Sequence, residues 1–215
     1  MNGIKLHHIL EENIGLLIFG ILFVSSIGGL VQILPSLNDE TLSTPTVNTR
    51  VYDAVELTGR DIYIREGCHV CHSQQVRPLV AEVERYGPYS RSGEFVYDRP
   101  FLWGSKRTGP DLHRVGGKYT NIWHEVHLLN PRAVIPESIM PAYPWLAERE
   151  AYEAGNIQKK MQALQKLGHP YTEEDISNAP AALEGLREID ALIRYLQMLG
   201  SSYDESMEDM NMEGM

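Results

Sequence analysis

The chain has 215 residues, enough for one hydrophobic anchor and one domain of ordinary size. Its formal charge of −10 excludes the basic surface that a nucleic-acid partner requires. Two cysteines cannot staple a domain of this size, so they are either a local chemical motif or unrelated. No internal repeat or low-complexity tract interrupts the chain.

Residues 13–38 carry no charge, and the apolar stretch 14–34 is bounded by Glu11 and Glu12 on one side and Asp39 and Glu40 on the other. As a helix rising about 1.5 Å per residue it matches a hydrocarbon core of about 30 Å. Pro35 is the expected stop. A cleaved signal peptide is the alternative, but its apolar core is about 7–15 residues and ends at a small-residue site. Neither feature is present here. Ser25, Ser26, Gly28 and Gly29 would let a second helix approach the span closely.

A helix is predicted over 54–67. It leads into Gly-Cys-His-Val-Cys-His at 67–72. Two thiols three positions apart followed at once by a histidine form the attachment pattern of a c-type haem. Cys68 and Cys71 would form thioethers to the two vinyl groups, and His72 would bind the iron. A redox dithiol has no use for the adjacent histidine, and a zinc site would need more ligands. His69 is read as the variable residue of the motif. Because such attachment occurs outside the cytoplasm, the expected organisation is a cytoplasmic N-terminus at 1–12, a transmembrane anchor at 13–38 and a periplasmic haem domain at 39–203. An acidic, Met-rich tail at 204–215 is expected to be disordered, with Cu(I) binding by Met207, Met210, Met212 and Met215 as the alternative.

Residues 73–107 exceed a minimal haem fold. With Tyr86, Tyr89, Tyr97, Phe101 and Trp103 they read as an ordered extended excursion and a candidate partner surface. Then comes Gly109-Pro110-Asp111-Leu112, where the Pro110 carbonyl is suited to accept from the second ring nitrogen of His72. Arg114 faces a haem propionate or stands exposed.

The sixth iron ligand is sought among eight methionines and the histidines. Met161 and Met198 fall in helix-like stretches, and Met1 and the tail methionines are remote. Met140 lies in a proline-bracketed loop at 136–143 that cannot be regular helix and would hold a thioether rigidly. His–Met ligation suits electron transfer. His113, His124 and His127 are the competitors. The last two lie on a helix expected over 122–129 and are read as surface or interface residues. Further helices are predicted over 145–167 and 183–199, and Gly59 is expected to allow a close crossing of the last with the helix over 54–67. The fold class is therefore mainly α: one N-terminal transmembrane helix, then a class I cytochrome c-like haem domain with extended insertions.

Three long motifs, at 67–78, 103–112 and 136–146, together with the anchor, closely resemble subunit II of cbb3-type cytochrome c oxidase, the membrane-anchored mono-haem subunit. The resemblance implies an electron-transfer role inside a bacterial inner-membrane complex that reduces oxygen to water and pumps protons. The partners it implies are a di-haem cytochrome c subunit as donor and a catalytic subunit with b-type haems and copper as acceptor. It also implies a calcium ion near the propionates at the subunit interface, with Ser105 as the candidate ligand. This chain would carry electrons and hold no catalytic residue. Two alternatives are the anchored cytochrome of a nitric oxide reductase-like complex and a haem-based sensor. The three motifs oppose the first; the short segment ahead of the span leaves little room for a sensor's output module.

Overall fold

The computed structural model describes residues 7–203 except 10 and 155; the Met-rich tail lies outside the described residues. The chain divides into two compact units, Met1–Thr44 and Pro45–Met215.

The first unit is built on α1 (Ile14–Leu37), the one helix among the described residues long and apolar enough to cross a membrane. Asn13 caps it by accepting from the Leu16 amide at 3.1 Å. Pro35 does not stop the helix. It sits in the last turn, and the chain leaves at Asn38, whose amide donates to the Pro35 carbonyl at 3.1 Å. The side chains of α1 are not buried within the protein, as expected of a surface that faces lipid. A short helix, α2 (Glu40–Ser43), follows.

The second unit is helical, and its described residues contain no strand. Its frame is α3 (Ala54–Arg65) crossing α10 (Glu188–Met198). A capping box of Asp53 and Glu56 starts α3, and Arg50 clamps the Glu56 carboxylate with two bonds of 2.7 Å. The helices cross at Gly59, where a Cβ would come within 2.0 Å of the Ala191 carbonyl oxygen. Leu57, Ile62, Tyr63, Ile189, Leu192, Tyr195 and Leu196 fill the core beside this crossing. Burying each such aliphatic side chain contributes about 1.5–3 kcal/mol.

The helix predicted over 183–199 begins later in the structure, at Glu188. α9 (Glu173–Leu183) ends at Leu183, Gly185 turns the chain at φ +74°, and Asp190 caps α10 from the Arg187 amide at 3.0 Å. The helix predicted over 145–167 begins late. Two 3₁₀ turns, Pro144–Ala147 and Ala151–Ala154, precede α8 (Ile157–Lys166). The reason is backbone pairing elsewhere: Ala151 donates to the Leu186 carbonyl at 2.7 Å, and Glu188 donates to the Arg149 carbonyl at 2.9 Å. The excursion at 73–107 holds α5 (Val80–Tyr86) and a 3₁₀ turn at Ser92–Phe95. It is tied inward by ion pairs of Glu82 with Arg77 and Arg107, and of Glu94 with Arg114.

Candidate haem site

Gly67, at φ +72°, ends the run of α3 and starts the single turn α4 (Cys68–Cys71). The two thiols are free; Cys68 is half-buried and Cys71 exposed. Burial, with the nearby Glu66 charge, pushes the Cys68 thiol up to about 12. The His72 amide closes the turn on the Cys68 carbonyl at 2.9 Å.

The imidazole of His72 is held from behind. Its Nδ1 lies 2.8 Å from the Pro110 carbonyl oxygen. A carbonyl only accepts, so Nδ1 carries the proton and the lone pair is on Nε2, the arrangement a metal ligand needs. Burial lowers the His72 pKa against the opposing Pro110 bond, which keeps the ring in its neutral, ligating form. Gly109 is required at its position: a Cβ there would lie 2.3 Å from His72 Cε1.

The loop behind the ring is stitched to the motif residue by residue. Gly109 donates to the Cys71 carbonyl at 3.0 Å and Leu112 to the Ser73 carbonyl at 2.9 Å. Asp111, buried, accepts from Ser73 Oγ at 2.6 Å, from the Gln75 amide at 2.8 Å and from the His113 amide at 2.9 Å. Beyond it stands a second buried layer. Burial works against the Glu94 charge, but bonds from Arg114 and His113 outweigh it and hold the carboxyl at about 2.

After the His72 loop come α6 (Asn121–Leu129), α7 (Pro131–Val134) and the loop that carries Met140. Met140 is half-buried against the core, and its amide donates to Ser138 Oγ at 3.2 Å. Tyr143 donates its amide to the Leu128 carbonyl at 2.9 Å, which joins the loop to α6. Trp145 Nε1 donates to Glu66 at 3.2 Å, which joins it to the approach of Cys68. The Tyr143 hydroxyl is pushed up to about 12 by burial and by the neighbouring Cys68 and Cys71. The Met140 loop is thus tied, through Trp145 and Glu66, to the segment that leads into the haem turn.

Free thiols one turn apart, an oriented imidazole with Nε2 available, and a thioether loop returning to the same turn fit a covalent haem. Val70, Val126 and Ile139 stand exposed on these same elements, apolar surface that a porphyrin would cover.

Other expected residues are placed differently. Arg114 is buried and donates to Glu94, to the Pro88 carbonyl at 3.1 Å and to the Tyr89 carbonyl at 3.2 Å, so its place is in the scaffold behind the His72 loop. Ser105 is exposed, and no group of three or more metal-ligating side chains forms among the described residues. His113 is committed at both nitrogens, to Ser90 Oγ at 2.7 Å and to Glu94 at 3.2 Å. His124 and His127 are not surface residues: His124 is 4% exposed and His127 is half-buried. The signal for this was the aromatic spacing Tyr119, Trp123, His127 along one helical face.

The profile of the family described as "Cytochrome C oxidase, mono-heme subunit/FixO" matches residues 7–186. The chain belongs to this family. A search of curated proteins finds no match. The family match spans the anchor, the Cys-x-x-Cys-His turn, the His72 loop and the Met140 loop, and ends just before α10. As a mono-haem oxidase subunit the chain holds one haem, and its apolar α1 makes it a membrane-anchored component of a respiratory complex.

Proposed function

We propose that the chain carries its haem as haem c, through thioethers to Cys68 and Cys71, with His72 and Met140 as axial ligands. When bound, the haem supplies a one-electron Fe(III)/Fe(II) couple. The chain relays electrons from a di-haem cytochrome subunit to the catalytic subunit with b-type haems and copper, which reduces oxygen to water and pumps protons. α1 spans the bacterial cytoplasmic membrane with its N-terminus inside, and the haem domain is periplasmic.

The observation that carries this reading is His72, one residue after two free thiols, with Nδ1 bonded to the Pro110 carbonyl at 2.8 Å and Nε2 left for iron. The polypeptide's part is to bind, orient and shield. The His72 loop fixes the ring plane, and the Met140 loop brings a soft thioether that raises the potential. A calcium ion at the interface would use Ser105 together with groups of the catalytic subunit. No step depends on it.

Purification of the intact membrane complex tests the reading. The chain should keep its haem on a denaturing gel and co-purify with a copper-containing subunit. Loss of the haem stain under denaturation, or a complex without copper, would overturn it.

A further inference from the structure

Three rings stack where the chain enters α6: Tyr119, just ahead of the helix, then Trp123 and His127 on it. Tyr119 and Trp123 lie nearly parallel, 3.9 Å between centroids at 14°, and Trp123 and His127 follow at 4.6 Å and 11°. The column runs inward from Tyr119, which is 38% exposed, to the half-buried His127. One planar contact, with Trp123, sets the plane of the His127 ring, and Tyr119 backs Trp123 in turn. The next residue, Leu128, is the one whose carbonyl anchors the Met140 loop through Tyr143. Burial, with a smaller contribution from His72, lowers the His127 pKa. His127 therefore stands one residue from the contact that ties the Met140 loop to α6.

The tautomer follows from the surroundings. The neutral ring has one N–H. Nδ1 is buried and has no hydrogen-bond partner, so a proton placed there would forgo a bond. The proton belongs on Nε2.

We propose that His127 is a positioning residue for the haem: held against Trp123, which stacks in turn on Tyr119, it presents its Nε2–H to the sixth-ligand side of the iron and favours the reduced state. An N–H dipole with its positive end towards the metal stabilises the less positive iron, whether its acceptor is the axial thioether or a propionate. This inference rests on the haem reading above.

The test is an optical redox titration of the purified complex carrying His127→Phe, which keeps the ring stack and removes the donor. At a fixed ambient potential the reduced-to-oxidised ratio of this haem should fall about threefold, or ~28 mV for one electron. His127→Gln, which restores a donor, should recover at least half of that. An unchanged or increased ratio in His127→Phe would overturn the proposal. If that variant does not load haem, the ferric wild-type complex still decides: the His127 ring protons must show paramagnetic shifts, and diamagnetic positions would overturn it. Wild-type protein without covalent haem would instead overturn the haem reading itself.

Discussion

The two sides of the proposed haem site are built by different means. On the His72 side the backbone and a buried carboxylate do the work: Gly109, Pro110, Asp111 and Leu112 each bond to residues 71–75. On the Met140 side the backbone ties are few. The bonds from Met140 to Ser138 and from Tyr143 to Leu128 are joined by Pro136 and Pro141 and by packing. The first side is preorganised by polar satisfaction, the second by restricted dihedrals and burial. The difference suits the chemistry. A histidine needs its tautomer and plane set by an acceptor, whereas a thioether is polarizable and needs only to be delivered.

Substitutions on the His72 side should therefore be the costly ones. The largest effect is expected for Glu94→Gln, which leaves the Arg114 guanidinium without its counter-charge and should destabilise by about 3–5 kcal/mol in denaturant unfolding. The same carboxylate dictates a pH dependence. Its folded pKa, about 2, lies below that of a free glutamate. Its contribution is thus fully present above about pH 4.5 and is lost as pH falls towards 2. The melting temperature should drop across that window, and less steeply in Glu94→Gln.

Next comes Gly109→Ala. The new Cβ must displace His72, so we expect about 3 kcal/mol of destabilisation and a weakened low-spin haem spectrum. Asp111→Ala strands three donors and should cost about 2–3 kcal/mol, measured by thermal unfolding. The smallest effect is expected across the site: Ser138→Ala removes one bond to the Met140 amide and should cost about 1 kcal/mol or less. Equal costs for Asp111→Ala and Ser138→Ala would erase the contrast between the two sides.

What the sequence conveyed follows the same division. Local signals read directly. The close approach at Gly59, the Cys-x-x-Cys-His turn and the Pro110 carbonyl all rest on neighbouring residues or on a residue type with one use. Non-local pairing did not. The late start of α8 depends on residues 149–151 bonding to 186–188, which no periodicity announces. The gap between α9 and α10 had a cue in Gly185, outweighed by the apolar stripe on each side. Arg114 was open between propionate and solvent because its partner, Glu94, lies 20 positions earlier in the chain. His127, half-buried in the structure, was read as a surface or interface residue because helical spacing alone does not say which face is covered.

The central claim is that one covalent haem, held by His72 and Met140, relays electrons to the oxidase. Its most direct test is an optical redox titration of the purified complex with Met140→Ala. The account predicts that the haem stays covalently bound, that its thioether-to-iron absorption disappears, that its potential falls and that oxygen consumption stops. An unchanged spectrum and potential in Met140→Ala would contradict it.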